Sequence, residues 1–77
     1  MKTIRITRID DPSLMNDRDI ISFMEAKGYV WVSSALTPGN RNILFTVDRR
    51  CGPKTLFKLQ TDLQKLMNDD TISIDFA

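Results

Sequence analysis

The 77-residue chain has no histidine and a single cysteine, Cys51. Without histidine, the Ser/His/Asp and Cys/His catalytic arrangements are excluded, and zinc and haem lose their commonest ligand. With one cysteine there is no internal disulfide and no CxxC redox pair. Cys51, a lone thiol with no histidine base, is a poor nucleophile. Glycine and proline are scarce, three of each, so each one marks a boundary. No run approaches the ~18 apolar residues of a membrane span, and MKTIRITRIDD lacks the apolar stretch and cleavage site of an export signal. The expected location is cytoplasmic, with no membrane partner. A charge excess is missing too: 11 basic residues stand against 10 acidic ones, a net +1. That balance argues against both an acidic nucleic-acid mimic and a strongly basic nucleic-acid binder. One domain is expected, 1–77, and at this size only about 60–65% of the unfolded chain's surface is buried on folding.

What is present is alternation. In YVWVSSALTPGNRNILFTVD, residues 29–48, Val30 and Val32 alternate with Tyr29, Trp31 and Ser33, and Ile43, Phe45 and Val47 alternate with Leu44, Thr46 and Asp48. This is the pattern of two half-buried strands. Thr37-Pro38-Gly39-Asn40 between them predicts a type II turn within a connection of six or seven residues. Thr3–Ile9 reads as a first strand with Ile4 and Ile6 on one face; Ile9, out of phase, calls for a bulge or a strand end that turns over. Asn16 is the expected N-cap of a first helix, with Asp19 reaching back and Met15 and Ile20 as a hydrophobic staple. Ile20, Ile21, Phe23 and Met24 form its buried arc, and Lys27-Gly28 ends it. Pro53 at N1 opens a second helix with a stripe of Leu56, Leu59, Leu63, Leu66 and Met67. Thr71–Phe76 alternates again as a last strand.

The order β-α-β-β-α-β with amphipathic helices predicts an α+β fold: a ferredoxin-like split βαβ sandwich, antiparallel sheet order 4-1-3-2, both helices on one face. The expected core is Ile4, Ile6, Ile20, Met24, Val30, Val32, Ile43, Phe45, Val47, Leu56, Leu59, Leu63, Leu66, Ile72, Ile74 and Phe76. The uncovered face then carries Arg5, Thr7, Tyr29, Trp31, Ser33, Leu44, Thr46, Ser73 and Asp75.

Residues that folding leaves over carry the functional expectations. Tyr29, Trp31, Leu44 and Arg5 on the open face, with Phe57 off the leucine stripe, are the candidate protein-interaction residues. Trp31 is either an interface anchor, a base-stacking platform, or a ring lying flat on its own sheet. Phe57 either tucks under the connection before the second helix or is exposed beside a basic ridge. That ridge is the second candidate. Residues 28–67 hold six cations against Asp48 and Asp62, a local +4, and Arg49, Arg50, Lys54, Lys58 and Lys65 are the candidate nucleic-acid or anion contacts. Lysines on a helix are usually a solvated face, but Lys54 in a first turn opposes the helix dipole, a placement useful where an anion docks. Gly52-Pro53-Lys54-Thr55 lacks the spaced glycine and Gly-Lys-Ser/Thr order of a phosphate loop. Asp10 is a weak candidate metal ligand, against the plainer reading of Asp10-Asp11-Pro12 as a turn. No catalytic constellation and no cofactor are expected.

RNA-recognition motifs share this element order, but their stacking aromatics have no counterpart: RNILFTVD offers only Phe45, in the core phase, and KTIRITRID none. In element order and in Asp10 the chain is similar to the small CRISPR adaptation nucleases and to antitoxin endoribonucleases. That resemblance implies a metal-dependent endoribonuclease or a single-strand nucleic-acid binder. The leading expectation is a non-enzymatic protein-binding module that inhibits or regulates its partner, of the kind phages and mobile elements use against host defence. A homodimer with open faces packed together is a further expectation.

Overall fold

The computed structural model describes residues 1–14 and 16–77. Its elements are β1 (Lys2–Ile9), α1 (Arg18–Ala26), β2 (Val30–Thr37), β3 (Asn40–Val47), α2 (Pro53–Met67) and β4 (Ser73–Phe76). The sheet runs β2-β3-β1-β4, every neighbouring pair antiparallel, the order the sequence predicts, read from its other edge. Ile4, Ile6, Ile43, Phe45, Val47 and Ile74 from the sheet meet Ile20, Met24, Leu56, Leu59, Leu63 and Met67 from the helices in one buried cluster. No helix among the described residues is long and apolar enough to cross a membrane.

Both helices end in the same way. Gly28 takes φ +91°, its amide donates to the Glu25 carbonyl, and the Tyr29 amide reaches back five residues to the Met24 carbonyl at 3.1 Å. Asn68 takes φ 49°, its amide donates to Lys65, and the Asp69 amide reaches Gln64 at 3.0 Å. These are Schellman caps, in which the residue two past the cap folds back onto the helix. In α1 that residue is Tyr29, only 3% exposed; in α2 it is Asp69, also buried. The start of α1 differs from expectation. The helix begins at Arg18, with Asp17 as its cap residue and no side-chain cap bond from it, because the Asp17 carboxylate turns inward. Asn16 still accepts a bond from the Arg18 amide at 3.0 Å. The staple expected of Met15 lies outside the described residues.

The hairpin is tighter than predicted. Thr37 pairs with Asn40, leaving only Pro38 and Gly39 as the connection; Gly39 at φ +80° after proline is type II geometry. The first half of β2 also has the opposite phase from the one expected. Val30 lies across from Thr46 and Trp31 from Phe45, and a bulge before Ser33 restores the phase opposite Leu44. The expected core residue Val30 is therefore 60% exposed and Tyr29, expected on the open face, is buried; Val32, also expected in the core, is the residue the bulge inserts and is 51% exposed. Two causes act together: the Schellman cap draws Tyr29 inward, and the bulge absorbs the extra residue. Leu66 and Phe76 are exposed as well. Met67 takes Leu66's place because the buried positions step 56, 59, 63, 67 along the helix, and Phe76 stands near the edge of the sheet with the Lys2 ammonium 5.0 Å above its ring.

Ile9 needs no bulge. The β1–β3 register is unbroken to its end, so the outward residue is Ile9 and the inward one is Arg8, 1% exposed. Its Nε donates to Asp69 Oδ2 at 3.0 Å and its Nη1 to Asp17 Oδ1 at 3.3 Å. Arg41, directly across on β3, holds the other Asp17 oxygen at 2.7 Å. Burying a guanidinium is costly unless it is paired and hydrogen-bonded. Here two arginines meet two aspartates, and the cluster ties the end of β1 to the start of α1 and the exit of α2.

Candidate interaction edge

The strands β2 and β4 form the two edges of the sheet, and they are finished differently. β4 has four residues, and its ladder to β1 continues through the Ala77 amide donating to the Thr3 carbonyl at 3.0 Å. Antiparallel alternation then turns the backbone groups of Ile74 and Phe76 outward. The Ile74 amide donates to Gln60 Oε1 at 2.9 Å, and Gln64 Nε2 donates to the Ile72 carbonyl at 2.9 Å. Two glutamines of α2 thus occupy positions that an added strand would use.

Among the described residues no side chain is bonded to the outer main-chain groups of β2, and the bulge between Trp31 and Ser33 is its one edge device. The strand spans eight residues, VWVSSALT, with no charge and no proline, and all but the half-buried Ser33 are exposed. Edge strands normally carry such gatekeepers. The reason for its exposure is geometric. A nine-residue α1 is about 14 Å long while an eight-residue strand is about 27 Å, so the helix covers only part of β2. On the helix-side face Trp31 (44% exposed) and Leu36 (68%) flank Ser34, whose hydroxyl accepts the Trp31 indole N–H at 3.0 Å. A recess of about 240 Å³ beside them is lined by Asp10, Asp17, Ser34, Ala35, Leu36 and Arg41.

The other expected interaction residues are dispersed. Leu44 is half-buried on the open face between Arg5 and Ser33. Arg5 is bound to Asp75 at 2.9 Å across the β1–β4 pair. Tyr29 lies in the core against Cys51, hydroxyl to sulfur 3.8 Å, and burial, helped by that contact, raises its phenol above the ordinary pKa. Phe57 is exposed rather than tucked away and lines a shallow recess of about 350 Å³ with Leu56, Ile74 and Phe76.

The cations of the expected basic ridge differ in their surroundings. Arg49 lies 5.1 Å from the Tyr29 ring and its Nη2 donates to the Lys27 carbonyl at 2.7 Å, so it serves the negative end of α1. Lys58 stands 3.7 Å from Asp62. These two share a recess of about 370 Å³ with Lys27, Tyr29, Thr55 and Leu59, whereas Arg50, Lys54 and Lys65 are exposed outside it. Asp10 is exposed and lines the same recess as Asp17, whose two oxygens are engaged by Arg8 and Arg41. Among the described residues no three His, Cys, Asp or Glu side chains converge as a metal site.

The sequence makes the uncharged strand visible but not its status as an edge without gatekeepers. The glutamines that close β4 and the buried Arg8 were not singled out from sequence; an arginine in the core phase of β1 is the signal that was available. No family model, curated protein or solved structure gives a significant match to this chain.

Proposed function

We propose that this chain is a non-enzymatic protein-binding module of ferredoxin-like architecture that regulates or inhibits the protein it engages, and that β2 is its binding edge. The observation that carries this reading is the uncharged eight-residue edge strand with Val30, Trp31, Val32 and Leu36 facing solvent. Apolar side chains beside unpaired main-chain groups suit strand addition, in which backbone bonds supply affinity and alternate side chains supply specificity. Trp31 is the expected anchor. Trp31→Ala should weaken the complex by about 2 kcal/mol or more, roughly thirty-fold.

The test is affinity capture with the tagged chain from its source cells, run beside Leu36→Lys. A protein retained by the parent and lost with the variant supports the reading; identical captures from both defeat it. The competing nucleic-acid reading rests on Arg49, Arg50, Lys54, Lys58 and Lys65, of which Arg49 already donates to the Lys27 carbonyl. Salt titration separates the two. Phosphate contacts give a log-log slope of about −0.7 per contact on a single strand, and an apolar edge gives a nearly flat response.

A further inference from the structure

We infer that a second copy of this chain occupies the β2 edge, paired antiparallel about a two-fold axis at Ser34, so that two four-stranded sheets join into one of eight. This rests on the reading of β2 as a protein-binding edge and names its occupant. The two-residue turn makes Thr37 and Asn40 a hydrogen-bonded pair, so Ala35 and Ser33 also bond inward to β3. Ser34 and Leu36 therefore turn their N–H and C=O groups to the open edge.

Opposed residues in an antiparallel pair lie on the same face of the sheet, which limits the two-fold positions. Centring on Ser34 sets Ser34 against its copy, Ser33 against Ala35, and Leu36 against Val32. Ser33 and Ala35 belong to the open face, opposite Leu44 and Asn42, and Leu36, opposite Arg41, to the helix-side face; Val32, inserted by the bulge without a β3 partner, shares the helix side with Trp31 as the two residues of a bulge do. Small residues thus meet at the axis, and an exposed aliphatic meets an exposed aliphatic on either side, with Trp31 next to each pair. No charge lies anywhere in the strand, and a net charge of +1 per chain offers little repulsion between copies. The bulge between Trp31 and Ser33 limits the seam to residues 32–36 of each copy. Two-fold, self-complementary contacts of this kind are the commonest way for a small chain to associate.

Sedimentation equilibrium of the full chain from about 10 μM to about 1 mM should show a monomer–dimer equilibrium. Leu36→Lys, at a position already 68% exposed, should stay monomeric over that range with an unchanged far-ultraviolet spectrum. In amide exchange, Ser34 and Leu36 should gain at least ten-fold protection in the dimer while the amides of Ser33 and Ala35 change little. Ser34→Cys should form an intermolecular disulfide on mild oxidation, because a hydrogen-bonded pair places the Cα atoms about 5.5 Å apart, whereas Thr37→Cys should not; Cys51 is buried. A parent that is monomeric throughout overturns the inference, as does a dimer that survives Leu36→Lys or leaves Ser34 and Leu36 unprotected. If the chain is monomeric but Leu36→Lys still loses a captured protein, the binding-edge reading stands and only the second copy is excluded.

Discussion

Arg8 ties together segments that are far apart in the sequence. Its guanidinium binds Asp17 and Asp69, which are 9 and 61 residues away in sequence, so one side chain fixes both loops at that end of the sheet. Removing one partner of a buried pair strands the other, at about 3–5 kcal/mol. Arg8→Ala should therefore remove a large share of the ~5–15 kcal/mol typical of a domain and move the urea midpoint well below that of the parent. Asp69 also predicts the pH response. Burial alone would raise its carboxyl, but the Thr71 hydroxyl and amide and the Arg8 guanidinium outweigh burial and hold it below its ordinary value of 3.8. A carboxyl depressed in the folded state contributes stability that is fully present above the unfolded value and is lost as pH falls through the folded one. Stability from urea melts should thus decline below about pH 4, and Asp69→Asn should flatten that acid limb while lowering stability at pH 7. An arginine in a strand's core phase is legible in sequence, but its two carboxylates are not, since nothing local relates residue 8 to residue 69.

At the scale of elements, all six were legible from alternation, helical stripes and stop residues, although β2, exposed everywhere but at the half-buried Ser33, has no buried face of its own. The four strands, two helices and sheet order follow from that pattern. The phase of β2 was not legible, and with it the face of the candidate site. Alternation alone cannot register a bulge, and Tyr29-Val30-Trp31-Val32 offers apolar residues in both phases, so only the cap at Gly28 decides which side turns in. That cap is testable. Gly28 combines φ +91° with an Arg49 Nη1 only 2.7 Å from where a Cβ would stand, so Gly28→Ala should cost about 1–2 kcal/mol in urea unfolding and release Arg49 from the Lys27 carbonyl. The closure of β4 rests on side chains that periodicity marks merely as polar flanks of α2. In Gln60→Ala the part-buried Ile74 amide loses its acceptor, at about 0.5–1.5 kcal/mol for one hydrogen bond, and its exchange with solvent deuterium should accelerate relative to Ile6, which lies opposite it on β1.

For the whole molecule, the asymmetry between edges gives the sheet a direction: glutamine-sealed at β4, open at β2. The ends of the chain are placed with respect to that direction. Ala77 bonds to Thr3, so both ends emerge at the β1–β4 side, two to three strand spacings, about 10–14 Å, from the β2 edge. A domain or label joined to either end starts from one corner and leaves β2 reachable, and a short glycine linker can join the two ends into a ring. Reopened within the exposed segment after β3, that ring keeps the Thr37–Asn40 turn intact. The edge can thus be presented singly, in tandem or on a larger carrier without any change to its own residues.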